Sequence, residues 1–372
     1  MREFLDEWDY LIHLIRCAIH DQQPRELPEG FDFERIYEYG AYHHVANIAF
    51  YSLEKLKNKP ETALYAKWEI CRDQAIIRDI NQSYAAEEIR EALQNAHIRT
   101  LEVQGTKIKP LYPQPDYRTM SDIDFLVDLE NLPRARTVLE SLGYECRDEE
   151  EGEVDGFRSP NINIELHTAY FPKTVPFHQV MRPPFASVEE TGQYDINEFY
   201  LYNLLHIIKH YYDGGCGIRR VLDIYFLNQH FGKELDWDYV NSILETAKVT
   251  DLAAQLAALG EGWFGQGNWD GERSELVTYI INSGLHGTAP NARNNHLKRN
   301  FDNRVRFPKL RYFLKRIIGT REILYLNYPI LKRWKILYPL CWCHRIICAL
   351  GPSKRKRLSR EAKAVMQSKQ RS

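Results

Sequence analysis

The sequence predicts an α+β fold in which a small mixed sheet is embedded between helical segments. Apolar residues recur at helical spacing in the first part of the chain and again from Asp195. Between these helical parts lie several short runs with the composition of β-strands. The 372 residues are enough for two or three domains, and no internal repeat is visible.

Five regions are predicted along the chain. They are an N-terminal helical region at 1–97, an α/β domain at 98–190, a helical domain at 191–290, a basic and aromatic helical segment at 291–350, and a basic flexible tail at 351–372. In the first region, Leu5, Trp8, Leu11, Ile12 and Ile15 lie three or four positions apart. Residues 61–96 are predicted to form one helix or two in succession.

The strands and the later helices are predicted from the same periodicities. The predicted strands are IRTLEV (98–103), DIDFLVDL (122–129), GYECR, EVDGFR and NINIELHTAY (161–170), with a helix at 131–142. The later predicted helices are 197–212, 218–230, 237–246, 251–264 and 272–283.

Composition and charge exclude several classes of protein. The net charge is -2, so no global field indicates nucleic acid or a membrane, and 44% hydrophobic residues are typical of a folded chain. The seven cysteines are scattered, and the acidic N-terminus does not resemble a signal peptide. No apolar run reaches the roughly 18–20 residues that a spanning helix needs. We therefore predict reduced thiols and a cytoplasmic protein.

Two carboxylates interrupt an apolar strand in the stretch RTMSDIDFLVD (118–128). Because side chains alternate along a strand, Asp122 and Asp124 point to the same face. Burying two like charges is costly unless a cation lies between them, and Mg²⁺ prefers carboxylates together with substrate phosphates. The strand is therefore predicted to form half of a metal site. The alternative is an edge strand whose acids face water.

Two neighbouring motifs favour the metal site. Gly105 and Thr106 follow a short strand and can open a helix whose N–H groups hold phosphate. Glu165 places a third acid in the apolar alternation of a later strand. Together these features predict a two-metal site for phosphoryl transfer. By the strand period, His167 points to the same face as Glu165. It either contacts the ligands of the metal or is a partly exposed histidine of the strand.

These motifs resemble the polymerase-β-type nucleotidyltransferase pattern. They resemble more closely the bacterial family of uncharacterised nucleotidyltransferases, the fifth NTP-transferase group, over about residues 40–260. That family's pattern runs Lys-Gly, a Tyr-Pro stretch, Arg, then Asp-h-Asp-h-h-h and later Glu-h-His, where h is apolar. The Asp-Ile-Asp strand and the Arg118 before it are the specific part. Gln104 stands where the family pattern often has Lys, and LLHIIKHYYDGGCGIRRVLDIYFL resembles the helical segment that follows.

The resemblance implies roles for the three acids. Asp122 and Asp124 would hold two Mg²⁺ ions, with Mn²⁺ as the alternative, that bridge the phosphates of an NTP. Glu165 would hold the metal nearer the attacking hydroxyl and help to deprotonate it.

It also implies a nucleotide-binding set beside them. Gly105 and Thr106 would hold the β- and γ-phosphates, and Arg118 would offset negative charge on the triphosphate. Lys107, which follows the Gly-Thr turn in sequence, is assigned to the same nucleotide-binding set.

The predicted function is Mg²⁺-dependent transfer of an NMP group from an NTP to an unidentified hydroxyl or phosphate acceptor, with release of pyrophosphate. One alternative is a catalytically inactive module that binds a nucleotide or a partner. Another is a toxin-type enzyme that nucleotidylates a protein or tRNA.

A pair of histidines marks the first predicted helix after the sheet. His206 and His210 lie four apart and share a face. They could form half of a zinc site that lacks a third ligand, contact the nucleotide or acceptor, or form a buried polar stripe. Asp223 on the next helix could pair with one of them, or with Arg219 or Arg220.

The C-terminal part is basic and aromatic. CWCHRIIC (341–348) fits in about two helical turns, which favours a helix with small thiols over a zinc site. Residues 312–372 could contact a membrane surface or an acidic partner, which would make the protein peripheral to the membrane. The alternative is a core-packing helix pair with a solvated tail. KRKR in the tail is a weak signal for nucleic acid.

Overall fold

A computed structural model describes residues 4–148, 152–267, 273–288, 290–292, 295, 328, 331, 334 and 337–349. The described chain has the predicted α+β architecture, with a five-stranded mixed sheet and many helices. It forms two compact units, Met1–Ala292 and Arg293–Ser372. The finer division into five regions stays a prediction.

The chain before the sheet is helical. Its helices are α1 (Glu7–Ile19), α2 (Phe33–Tyr42), α3 (Ala46–Leu53) and α4 (Thr62–Asn95). The side chain of Asp6 caps α1 by accepting a hydrogen bond from the Asp9 N–H group. The predicted apolar stripe of α1 is buried from Trp8 onward, whereas Leu5 is 61% exposed. The segment at 61–96 forms one continuous helix.

The sheet follows α4. Its strands are β1 (Thr100–Val103), β2 (Ile123–Val127), β3 (Glu145–Asp148), β4 (Glu153–Arg158) and β5 (Ile162–His167), in the order β1-β2-β5-β4-β3. Only the β2–β5 pair is parallel among these neighbours. The short helix α5 (Gly105–Ile108) follows β1, and α6 (Leu132–Ser141) follows β2.

The two faces of the sheet differ in chemistry. On one face Ile123, Phe125, Ile164 and Leu166 pack in a core with residues of α4 and α6. The alternate residues of β5, which include Glu165 and His167, point to the other face. The strand period therefore places the polar side chains of β5 on the face opposite this core.

Seven further helices are described after the sheet. They are α7 (Ala186–Thr191), α8 (Ile196–Tyr212), α9 (Ile218–Phe231), α10 (Trp237–Ala247), α11 (Thr250–Phe264), α12 (Glu275–Ser283) and α13 (Tyr338–Ala349). Buried side chains of α8, α9 and α11, such as Tyr202, Leu222 and Trp263, join those of α1 and α3 in one large core.

The structure describes only part of the C-terminal region for which the sequence made predictions. CWCHRIIC lies within α13, as predicted for a helix. Most of residues 296–336 and all of 350–372 lie outside the described residues, and so does the predicted contact of 312–372 with a membrane or acidic partner. Among the helices that the structure describes, none combines the length and apolar character needed to cross a membrane.

His43 fixes the N-terminus of α9. Its Nδ1 accepts a hydrogen bond from the Ile218 N–H group at 3.2 Å, so its Nε2 carries the proton and donates to the Ile281 carbonyl at 3.1 Å. The side chain is completely buried. A Cβ atom on Gly217 would lie 2.9 Å from Nδ1, so the close approach of chain and ring suits glycine.

We expect His43 to make the stability of the protein depend on pH. Burial lowers its pKa to about 4, from an ordinary value of 6.5. Because the folded pKa is depressed, the unfolded chain binds the proton first as the pH falls. The stabilisation from the neutral ring is complete above about pH 6.5 and is lost towards pH 4, a change on the order of 3 kcal/mol.

The test compares the free energy of unfolding in urea at about pH 7 and about pH 5. The decrease should be about 2 kcal/mol smaller in His43→Asn than in the unmodified protein, since asparagine does not titrate. An equal decrease in both proteins would contradict this role of His43.

Candidate active site

Three carboxylates meet where β2 and β5 run side by side. Asp124 lies directly opposite Glu165 in the parallel register. Asp124 is 2% exposed, and Asp122 lies immediately before β2. Asp122 and Glu165 both line a cavity of about 350 Å³. The structure thus brings together all three acids predicted from the sequence, which we call the acid cluster.

His167 bridges the acid cluster. Its Nε2 lies 3.3 Å from Asp124 Oδ1 and 3.2 Å from Glu165 Oε2, and its Nδ1 lies 3.5 Å from Glu153 Oε1. Burial by itself lowers the pKa of His167, but the hydrogen bonds to the three carboxylates raise it well above its usual range. The imidazole is therefore protonated here and offsets part of the negative charge.

The acid cluster still lacks positive charge. Burial raises the pKa of Asp122 to about 7, and the charges of Asp124 and Glu165 add to that rise, while Arg219 opposes it. Burial also raises the pKa of Asp124, although the hydrogen bond from His167 lowers it. The hydrogen bond with His167 lowers the pKa of Glu165, so the unfavourable charge lies at Asp122 and Asp124, where a further cation would be stabilising.

The ligand atoms fit a divalent metal. One atom each from Asp124, Glu165 and His167 lies within 4.8 Å of the other two, the one such group of three in the described part of the chain. Carboxylate oxygens suit Mg²⁺ and Mn²⁺, whereas the protonated imidazole would have to lose a proton before it could bind a metal. Asp122 is not in this group, but it lines the adjacent cavity together with Glu165.

Gln104 ties the acid cluster to α8. Its side-chain amide donates hydrogen bonds to Asp124 Oδ1 at 3.0 Å and to the Tyr202 hydroxyl at 2.9 Å. Its φ of 53° with ψ of -121° is a conformation that favours glycine. In the sequence Gln104 stands out only as a departure from a family pattern. The structure shows it as a residue that positions Asp124.

The Gly-Thr turn lies close to Arg118. A Cβ atom at Gly105 would lie 2.4 Å from Met120 Sδ and 3.0 Å from an Arg118 guanidinium nitrogen, so only glycine fits without displacement. The Thr106 hydroxyl donates to the Val103 carbonyl at 3.2 Å. Phosphate binding by this turn stays a prediction.

Lys107 is exposed and lines a different cavity, of about 580 Å³, with Arg90 and Glu102 among its neighbours. The cavity that contains Asp122 and Glu165 does not include Lys107 in its lining. Its predicted contact with the nucleotide also stays a prediction.

Arg118 is held in a buried ion pair. Its guanidinium donates to the two oxygens of Asp223 at 2.8 and 3.0 Å, and the Tyr112 hydroxyl donates to the same carboxylate at 2.6 Å. Asp223 therefore pairs with Arg118, a partner not considered for it from the sequence. The predicted contact of Arg118 with a triphosphate stays a prediction.

Polar side chains continue along one face of α8. Tyr202, His206 and His210 are spaced four residues apart, and the Nε2 atoms of the two histidines lie 2.7 Å apart. Burial lowers the pKa of both rings well below the usual range, so both are neutral and one donates to the other. In the described part of the chain no third metal ligand joins them, so nothing here supports zinc among the three alternatives for this pair.

The comparisons with known proteins agree with the geometry. A family model described as "Uncharacterised nucleotidyltransferase" matches residues 29–265. A search of curated proteins and a search of solved structures each found no match. The matched region contains every residue of the acid cluster, the Gly-Thr turn and the polar face of α8.

Proposed function

The chain belongs to the family of uncharacterised nucleotidyltransferases, and from that premise we propose that it moves an NMP group from an NTP to a hydroxyl or phosphate acceptor, using divalent metal. The observation that carries the proposal is the pairing of Asp124 with Glu165 on adjacent parallel strands, with Asp122 in the same cleft. Three acids held together in a partly buried site are costly without a cation.

The acid cluster would hold the metal. Asp122, Asp124 and Glu165 would supply oxygen ligands for two Mg²⁺ ions, or for Mn²⁺, and protonated His167 would keep its hydrogen bonds to the carboxylates. When bound, the ions would stabilise negative charge on the transferred phosphoryl group and its leaving group. Gln104 keeps Asp124 in place through its amide hydrogen bond.

In the proposed reaction the attacking hydroxyl loses a proton and pyrophosphate departs from the NTP. The Glu165 side chain is 35% exposed, whereas that of Asp124 is 3% exposed, so Glu165 is the better placed to take the proton of an incoming hydroxyl. The acceptor oxygen forms a bond to the α-phosphorus, and the bond from that phosphorus to the bridging oxygen breaks. Pyrophosphate leaves with the bonding electron pair.

The cavity beside the acid cluster offers room for the acceptor or the nucleoside. Its lining includes Asp122, Glu165, Asn163, Arg147 and Phe157. Phe157 is 44% exposed, and its ring offers an apolar surface in a lining that also contains Ile164. Four carboxylates, those of Asp122, Glu145, Asp155 and Glu165, outnumber the single guanidinium of Arg147, so the cavity suits a ring-bearing molecule without a strong negative charge.

Labelled nucleotides test the proposal. The protein is incubated with Mg²⁺, a cell extract and each NTP labelled at the α- or the γ-phosphate, beside Asp122→Asn/Asp124→Asn. The surface acid Asp148, whose side chain is 70% exposed, provides the matched control Asp148→Asn. We expect α-label to reach an acceptor and γ-label to appear in pyrophosphate, with the control but not with the double variant.

Other outcomes point to other functions. Transfer of γ-label to an acceptor would indicate phosphoryl transfer and contradict the proposal. Binding of an NTP that never leads to transfer of α-label would support the alternative of a nucleotide-binding module. The chemical nature of the labelled acceptor would separate a small molecule from the protein or tRNA of a toxin-type enzyme.

A further inference from the structure

The first turn of α9 carries two adjacent arginines, Arg219 and Arg220. Arg219 is 6% exposed, and the buried Nε atoms of both arginines find no hydrogen-bond partner among the residues that the structure describes. Arg219 donates only to the backbone carbonyl and hydroxyl oxygens of Thr119, at 2.6 and 3.1 Å. Among the described residues, neither guanidinium forms an ion pair with a carboxylate.

The acid on the same helix is already occupied. Both oxygens of Asp223 accept hydrogen bonds from Arg118. Asp223 and Asp122 attract the two arginines of α9 electrostatically, but no described carboxylate forms an ion pair with them. Burying a guanidinium without a paired carboxylate costs free energy, because its charge loses water and recovers only part of that loss from neutral acceptors and from carboxylates that do not touch it. The arginines therefore have the character of a preformed binding site for an anion.

The turn before α9 packs closely against the loop at 284–288. The Thr288 N–H group donates to the Gly214 carbonyl at 3.0 Å, which holds the loop at 284–288 against the turn before α9. At Gly215 a Cβ atom would lie 2.2 Å from the Gly287 nitrogen, so this approach is possible only with glycine. The same loop places His286 against His44, with ring centroids 5.0 Å apart.

The imidazoles around the arginines stay neutral. Burial lowers the pKa of His44 to about 4 and also lowers that of His286, and Arg219 adds to the effect on both rings. Burial likewise lowers the pKa of His210, and Arg220 adds to that. The positive charge at this place therefore belongs to the guanidinium groups, and the rings offer neutral hydrogen-bonding groups.

Two parts of the chain connect the arginines with the acid cluster. They are the segment before β2 and the helix α8. Arg219 binds Thr119, which lies three residues before Asp122. On α8, the strip from Tyr202 to His210 spans about 12 Å along the helix axis. Tyr202 contacts Gln104 at one end, and His210 is electrostatically coupled to Arg220 at the other.

We propose that Arg219 and Arg220 form a subsite, the arginine subsite, that binds the polyphosphate of the NTP while its α-phosphate lies at the acid cluster. The inference rests on the proposed function and names where that function's substrate is held. Guanidinium groups suit this ligand because they bind phosphate oxygens in a bidentate manner. In the ligand-free protein neither guanidinium has a carboxylate ion pair among the described residues.

Calorimetric titration with inorganic tripolyphosphate in EDTA, and separately with ATP and Mg²⁺, tests the subsite. Arg220→Met removes the charge but keeps the apolar stem. Arg136→Met is the control, because Arg136 is partly exposed and pairs with Glu140 and Asp148. We expect Arg220→Met to bind both ligands at least about tenfold more weakly, a difference of about 1.4 kcal/mol, and the control to match the unmodified protein.

Three further measurements make the test decisive. Arg220→Lys should retain part of the affinity, and Asp122→Asn/Asp124→Asn should still bind tripolyphosphate in EDTA. The melting temperature of ligand-free Arg220→Met should not fall below that of the unmodified protein, because an uncompensated buried charge has been removed. A lower melting temperature would indicate a structural role for Arg220 and would overturn the proposal.

The remaining outcomes are equally informative. The proposal is overturned if the unmodified protein does not bind tripolyphosphate, or if Arg220→Met binds it as tightly. It is also overturned if Arg220→Met loses tripolyphosphate but keeps full affinity for ATP, since the subsite would then serve a phosphorylated acceptor. Tripolyphosphate and ATP binding that depend on Arg220, without transfer of α-label, would support the subsite while contradicting nucleotidyl transfer.

Discussion

We expect Asp124→Asn to lower the rate of nucleotidyl transfer by about a thousandfold or more, or about 4 kcal/mol of transition-state stabilisation. Asp124 is the most deeply buried member of the acid cluster and is contacted by both Gln104 and His167. Asparagine keeps the shape and an acceptor oxygen but removes the charge that a divalent metal needs. The measurement is the initial rate of α-label transfer at saturating NTP and Mg²⁺.

Stability separates this effect from misfolding. Because burial disfavours the charge of Asp124, its removal should not lower the melting temperature appreciably. Asp148→Asn, on the exposed end of β3, should leave both the rate and the melting temperature close to those of the unmodified protein. An Asp124→Asn protein that is stable and retains more than about a tenth of the activity would show that this acid does not hold a catalytic metal.

Of the variants proposed, Asp223→Ala should be the least stable, with a free energy of unfolding about 3–5 kcal/mol below that of the unmodified protein. Asp223 is 2% exposed, and its carboxylate accepts hydrogen bonds from Arg118 and from the Tyr112 hydroxyl. The variant would leave the Arg118 guanidinium, itself 8% exposed, buried without a counter-charge. The free energy of unfolding in urea gives the effect directly, and the exposed Asp148→Ala variant should change it little.

A double variant distinguishes the ion pair from simple loss of packing. In Arg118→Met/Asp223→Leu both charges are replaced by apolar groups of similar size, so much of the lost stability should return. If the double variant is as unstable as Asp223→Ala, the contribution of Asp223 comes from shape or from Tyr112. If Asp223→Ala lowers the free energy of unfolding by less than about 1 kcal/mol, that result would contradict a buried ion pair between Arg118 and Asp223.

Local patterns in the sequence were sufficient to predict the sheet and its acids. The alternation around Asp122 and Asp124 gives both the strand and the shared face, because the strand period is a property of a few neighbouring residues. Glu165 stands in a similar alternation. That these two strands are parallel neighbours does not follow from alternation. The three acids and the Gly-Thr turn together predicted one metal site, and the resemblance to a family assigned a role to each acid.

Contacts between distant residues could not be predicted in the same way. Arg118 and Asp223 are 105 positions apart, and Gln104 and Tyr202 are 98 apart. Such pairs depend on how α8 and α9 pack against the sheet, and no periodicity in the chain specifies that packing. The arginine subsite was missed for the same reason, since two adjacent arginines on a helix are usually solvated, and here the fold buries them.

Binding of Mn²⁺, followed by electron paramagnetic resonance, tests most directly whether the acid cluster is a metal site. The unmodified protein, Asp124→Asn, Glu165→Gln and the control Asp148→Asn are titrated with Mn²⁺ in the presence of an NTP. We predict that the unmodified protein and the control bind the ion equally, and that both variants of the acid cluster bind it at least about tenfold more weakly. Equal binding by all four proteins would contradict a metal site at Asp124 and Glu165, and with it the proposed mechanism.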